Sequence, residues 1–167
     1  MSKAATENNG VAIRRVGKWM EMRMNSDPAA LRPARLGLEE SCLAWGISVE
    51  DTEKIGLVLN EALANVIRHG YGGVHDKPIV VTYGMEGEAP SAKFSLRIRD
   101  WGKPVDPASL PWNKQGEEPP DVEKVKPGGL GLLCMKKMMD EVIFAPQSDG
   151  TLLTLVKKIG TLEHKHA

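Results

Sequence analysis

Cysteine is scarce in this chain. There are two, Cys42 and Cys134, in 167 residues, both in stretches that read as helical. They lack the short spacing of a metal knuckle or a redox pair, and a disulfide-stapled fold would use more of them. They read as reduced core residues of a cytoplasmic protein. Net charge is also missing: Lys plus Arg and Asp plus Glu each number 22, so no global field draws the chain to nucleic acid or to an anionic membrane. Long hydrophobic runs are absent as well. Nothing approaches the ~20 apolar residues of a membrane span, and the first residues hold no apolar run of signal-peptide length. Any anion this chain binds must be held locally, by backbone amides or a metal ion.

A composition of 41% hydrophobic and 26% charged residues suits one domain with a real core. Residues 1–18 read as an N-terminal tail, polar and small through its first dozen residues. Met20, Met22 and Met24 alternate with polar neighbours from Trp19 to Asn25, which predicts a strand. Asp27 followed by Pro28 opens a helix that runs to about Trp45 and closes at Gly46. Ser48 or Asp51 caps the next helix, which ends near Gly70. Residues 79–85 and 93–99 read as a hairpin, with one wet face from Ser95, Arg97 and Arg99. Residues 103–127 are rich in Pro, Gly and charge and lack periodicity, as a lid or binding loop would. After Gly128-Gly129-Leu130-Gly131 a helix is expected from Leu132 to Asp140, then strands over 141–145 and 151–159. Residues 161–167 read as a C-terminal tail. The sum is α+β: a two-layer sandwich of a mixed, mostly antiparallel sheet covered by helices on one face.

The second helix carries the most information. Ile55, Val58, Leu59, Ala62, Leu63, Val66 and Ile67 recur at helical spacing and form a core stripe. Glu61, Asn65 and His69, four apart, stack on an adjacent face. A lone Glu reads more readily as a solvated helix residue. Asn is a poor mid-helix residue, though, and has a partner or a task there. A carboxylate and an amide oxygen in one space suit a general base and a Mg²⁺ ligand. His69 reads as structural, at a helix end where a cation is favoured.

Two further segments join this one. Asp100-Trp101-Gly102 follows a strand. Taken alone it is a turn, but an ionised Asp accepts from an exocyclic amine, and Gly102 lets a flat ring come close. Gly128, Gly129, Leu130, Gly131 and Leu132 stand at a helix start, where free amides and the dipole attract phosphate, although a glycine run is by itself an unspecific turn signal. The segment lacks the Lys and Ser/Thr of a P-loop and follows no βαβ opening. Lys114, Lys124 and Lys126 in the long loop stand within reach of a γ-phosphate, though charged loops are usually just solvated. Met135, Met138 and Met139 read as helix core. Trp112, an aromatic in a polar loop, points to a protein interface.

The order Asn60-Glu61…Asn65, Asp100-x-Gly102, Gly129-x-Gly131 resembles the GHKL ATPases of the Bergerat fold. It is more closely similar to the stand-alone anti-sigma factor serine/threonine kinases. The likeness spans about residues 19–159 and rests on Asn-Glu-Ala-x-x-Asn-x-Ile-x-His-Gly-Tyr at 60–71, Gly-x-Gly-Leu…Met-Asp-Glu-Val at 129–142 and Gly-Thr-x-Leu-x-Leu-x-Lys at 150–157. It implies a histidine-kinase-like ATPase domain over 19–160, ATP and Mg²⁺. Glu61 would be the base, Asn65 the metal ligand, Asp100 and Gly102 the adenine contacts, and residues 128–132 the phosphate contacts. It also implies phosphorylation of a STAS-type anti-anti-sigma protein, control of a sigma factor, and dimers in some relatives. Pro104 stands where many relatives have a second Gly and stiffens the turn at the lid's base. A protein that binds nucleotide and sequesters its partner without phosphorylating it is the alternative, against which an intact Glu61 weighs. A histidine-kinase catalytic domain is disfavoured, because no upstream dimerisation helix carries a phosphorylatable His.

Overall fold

A computed structural model of the chain describes residues 6–112 and 129–163. Seven strands form one sheet: β1 (Thr6–Asn8), β2 (Val11–Val16), β3 (Trp19–Asn25), β4 (Pro78–Glu86), β5 (Ala92–Asp100), β6 (Glu141–Gln147) and β7 (Gly150–Gly160). Their spatial order is β1-β2-β3-β4-β5-β7-β6, and every pairing among the described residues is antiparallel. The α+β class and the mostly antiparallel sheet therefore hold, the described pairings being antiparallel throughout. Residues 6–16, expected as tail, instead extend the sheet by two strands. Val11 and Ile13 sit opposite Met24 and Met22, and that pairing gives a short, half-polar segment a place it could not hold alone.

Three helices cover one face: α1 (Leu31–Ala44), α2 (Val49–Asn65) and α3 (Gly129–Met138). Their ends follow local chemistry. Asp27 Oδ1 accepts from the Ala29 N–H at 2.9 Å over a short 3₁₀ turn that leads into α1. Gly46, at φ +83°, ends α1. The Ile47 and Gly46 N–H groups reach back to the Cys42 and Leu43 carbonyls, which satisfies two otherwise orphaned acceptors. Ser48 is the cap of α2, its Oγ accepting from the Asp51 N–H at 3.1 Å, and Glu50 and Asp51 place negative charge in the first turn.

The core lies between this layer and the sheet. Ile55, Val58, Leu59, Ala62 and Leu63 on α2 are buried against strand residues that lie in rows across the sheet. One row runs Met22, Val81, Ile98, Leu153, and the next Tyr83, Leu96, Leu155. Cys42 is buried in α1, where burial pushes its thiol up to about 12, and Cys134 is half-buried in α3. Trp112 is also accounted for by packing rather than exposure: its ring lies 6.2 Å from that of Phe144 and under the Lys136 ammonium. No described helix is long and apolar enough to cross a membrane.

Leu59 is fully buried at the centre of this layer. Leu59→Ala should lower unfolding free energy by about 2–5 kcal/mol through lost transfer and a residual cavity. Urea denaturation followed by far-UV circular dichroism checks it, with the midpoint expected to fall at unchanged slope.

Candidate functional site

The site is built along α2. Seating its apolar stripe on the sheet puts Glu61 and Asn65, one turn apart, on the flank toward α3, and both are half-buried. Gly131 of α3 packs on Glu61 so closely that a Cβ there would collide with Oε2. The glycines do not precede the helix, as expected from the sequence. Gly129, Leu130 and Gly131 form its first turn, so α3 starts three residues before Leu132. Two glycines in a first turn cost helix stability, roughly 1 kcal/mol each against Ala. In exchange the backbone of Gly131 approaches the carboxylate, and the first turn of a helix carries N–H groups without an intrahelical acceptor. Leu132 packs half-buried against the core. Gly128, Lys114, Lys124, Lys126 and most of the expected lid lie outside the described residues.

Asn65 is poorly satisfied. Its Nδ2 is buried with no hydrogen-bond partner among the described residues, and its Oδ1 accepts only a long 3.4 Å bond from the exposed Arg68 guanidinium. Beyond Asn65 the helix widens into a π-turn over Val66–Gly70, closed by the Tyr71 N–H on the Val66 carbonyl at 2.9 Å. Such turns interrupt the α spacing and are frequent at functional positions. His69, predicted to continue the Glu61–Asn65 row, falls in this turn and is exposed.

The π-turn brings Gly70 against Asp100. A Cβ on Gly70 would stand 3.5 Å from Asp100 Oδ1. Asp100 occupies a core position: it continues the inward row of Phe94, Leu96 and Ile98 and pairs with Ile79 and Thr151 on the two neighbouring strands. It is 4% exposed. Burial raises its carboxyl above the usual value, partly opposed by the Gly102 N–H and the Arg99 charge. The Gly102 N–H donates to Oδ1 at 2.9 Å, and Oδ2 carries no hydrogen bond among the described residues. Gly102 in turn lies on the Gly70 carbonyl, where a side chain would clash, and that same carbonyl accepts the Lys103 N–H at 2.7 Å. Thr151, across from Asp100, accepts the Val105 N–H on its hydroxyl at 3.0 Å.

One helix edge therefore joins a carboxylate against glycine backbone, an underbonded carboxamide and a buried carboxylate. The distance along the axis from Glu61 to Gly70 is roughly 13 Å at 1.5 Å per residue. Sequence reading picked Glu61, Asn65, Asp100 and the glycines. It gave no role to Gly70, Tyr71 or Thr151, although the first two complete the quoted 60–71 pattern and Thr151 is the second residue of the last one.

A family described as the histidine kinase-like ATPase domain matches residues 24–157. The chain is 26% identical to a serine-protein kinase RsbW of Oceanobacillus iheyensis, over 87% of this chain and 89% of that protein. It is 30% identical to a serine-protein kinase RsbW of Listeria monocytogenes, over 72% of this chain and 75% of that protein. A solved histidine kinase domain from the Erythrobacter litoralis EL346 blue-light activated histidine kinase aligns with 81% of this chain and 62% of its own, at TM-score 0.46 and 16% identity, a likeness too loose to argue from.

Because burial raises the Asp100 carboxyl, ionising it opposes folding. Its stabilising contribution is complete below pH 3.8, the ordinary value, and is lost as pH rises through the raised one. Asp100→Asn keeps the acceptor for Gly102 and cannot ionise. At pH 7 the variant should melt at or above the wild-type temperature, and the difference should shrink as pH falls toward about 4. Thermal melts across pH check both the sign and the window.

Proposed function

The chain belongs to the histidine kinase-like ATPase family, the GHKL group, and from that premise we propose that it binds ATP along α2 and transfers the γ-phosphoryl group to a serine or threonine of a partner protein. The observation that carries this reading is the order of groups on one helix edge. Asp100 Oδ2, which carries no hydrogen bond among the described residues, accepts from the exocyclic amine of adenine at the end of α2, where Gly102 packs on the Gly70 carbonyl. At the other end the first-turn amides of Gly129, Leu130, Gly131 and Leu132 hold the phosphate oxygens in this reading, with Gly128 next to them in the sequence. The Asn65 carboxamide fits a metal between them, since its oxygen has one long bond from a displaceable, exposed guanidinium. Magnesium, when bound there, supplies positive charge against the phosphate oxygens.

Glu61 acts as the base. Its carboxylate takes the proton of the incoming hydroxyl as that oxygen attacks the γ-phosphorus, and the bond to the bridging oxygen breaks to leave ADP. A protein that only bound nucleotide would have no use for a carboxylate held against the phosphate-binding turn. The likeness to the anti-sigma kinases extends the proposal to the partner: a STAS-type anti-anti-sigma protein as substrate, with a sigma factor sequestered once that substrate is modified. The protein works in the cytoplasm, alone or as a homodimer, without contact to nucleic acid or membrane.

The test is transfer of label from γ-labelled ATP to a STAS protein. Label should appear on the partner with the wild-type chain and fall about 10²–10⁴-fold with Glu61→Ala, while calorimetry still shows nucleotide uptake by that variant. Asn65→Ala should lose the magnesium-dependent part of the binding. Partner release under ATP that survives Glu61→Ala undiminished would replace the kinase with a nucleotide-gated binder. A wild-type chain that takes up neither ATP nor ADP removes both readings.

A further inference from the structure

Tyr71 joins three parts of the site through one hydroxyl, and none of the roles above uses it. Its ring is buried directly after the π-turn. Its O–H donates to the Pro78 carbonyl at the head of β4, and its oxygen accepts the Trp101 N–H at 2.8 Å. That N–H belongs to the peptide plane that follows Asp100, and a peptide plane turns as one body. The other side of the same plane, the Asp100 carbonyl, accepts from the Arg99 guanidinium. With both edges held, the backbone torsion from which the Asp100 side chain departs is held too. The Gly102 N–H on Oδ1 then fixes the carboxylate itself and leaves Oδ2 turned to its task.

The hydroxyl is placed for this job and is more than the tip of a packed ring. A phenylalanine would fill the same space in the core cluster to which Tyr71 belongs. It would leave the Trp101 N–H and the Pro78 carbonyl without their partner. Both ends of the bond pair lie on segments that meet at the Asp100 end of α2, far from Glu61 and α3.

We propose that the Tyr71 hydroxyl is a positioning group that sets the base preference of the nucleotide pocket, by holding the Asp100–Trp101 peptide so that the Asp100 carboxylate meets an exocyclic amine. The proposal rests on the nucleotide-binding reading above and adds to it the residue that makes the carboxylate selective. Tyr71 touches no substrate. It acts through Asp100, so loss of its hydroxyl changes discrimination between bases more than it changes the grip on phosphates.

The experiment compares ADP with IDP, which carries a carbonyl in place of the exocyclic amine, on wild type and Tyr71→Phe by calorimetry. Wild type should prefer ADP by roughly tenfold or more, the worth of one hydrogen bond to a charged acceptor. In the variant ADP affinity should fall about five- to tenfold with IDP affinity nearly unchanged, so that the ratio collapses. A ratio preserved in the variant, with or without an overall loss of affinity, overturns the proposal and leaves Tyr71 as packing. Wild-type uptake of ADP and IDP alike also overturns it. No uptake of either nucleotide by wild type removes the pocket itself, an outcome distinct from a preserved ratio. Should the variant fail to fold, amide exchange in the intact wild type decides instead: the Trp101 N–H should be protected like the interior of β5, and exchange at the rate of an exposed amide would overturn the assignment.

Discussion

The seating of α2 on the sheet is the constraint from which the rest follows. Its stripe of Ile55, Val58, Leu59, Ala62 and Leu63 has one way to be buried, against the rows of Met22, Val81, Ile98 and Leu153 and of Tyr83, Leu96 and Leu155. Once that face is down, the flank carrying Glu61 and Asn65 has no freedom of rotation, and the end of the helix must arrive where β5 ends. Burial of large aliphatic side chains contributes about 1.5–3 kcal/mol each. That is enough for this single interface to dominate the positioning of every polar group beside it. The helix is a ruler whose markings are set by apolar contact and read by polar groups.

How far this was legible in the sequence depends on how local each cause was. The α2 stripe was plain because its period is intrinsic to the chain. The ends of α1 and α2 were equally plain, since Asp27, Pro28, Gly46 and Ser48 act within a few residues of themselves. The strands over 79–100 showed in alternation, and Asp100 was singled out, but its burial was not. A carboxylate in the inward row of a strand looks from sequence alone like the residue after the strand's end. The first two strands were invisible, because Val11–Val16 is held by its register with β3 rather than by its own pattern. The start of α3 was misplaced for the opposite reason: glycine is a poor helix former, and Gly131 is carried into the helix by its contact with Glu61 of α2. The π-turn could not be seen either. It answers to the close approach of Gly70, Asp100 and Gly102, which are far apart in the chain.

Apart from the first two strands, at the far edge of the sheet, these misses share a location. The helix that contains glycines, the turn that widens, the carboxylate in a core row and the underbonded carboxamide all line one edge of α2. Elsewhere, apart from Ser95, buried on the face of β5 expected to be wet, and Thr52 Oγ1, buried with no partner among the described residues, local preference and tertiary placement agree. Helix ends are capped, strand faces alternate, and apolar residues lie in rows. Agreement across levels is what gives a sequence a single fold, and natural proteins depart from it chiefly where binding or chemistry needs a group held against its preference. The departures here are therefore more informative about function than the regular apolar core that surrounds them on the same helix.

Their chemistry sharpens the point. Asp100 is ionisable and buried, Asn65 Nδ2 is buried without an acceptor among the described residues, and the first turn of α3 is weakened by glycine. Each of these costs the free protein stability, because a buried polar group without a partner forfeits its hydration. Yet each deficit has a definite complement: a donor for Asp100, a cation or an acceptor for Asn65, and an anion for the α3 turn. A single molecule with an amine at one end and phosphates with their metal at the other would satisfy all three at once. It would also stabilise the fold in proportion to its affinity. A surface that had drifted into these features by neutral change would have no reason to arrange its three deficits in that order along one helix edge.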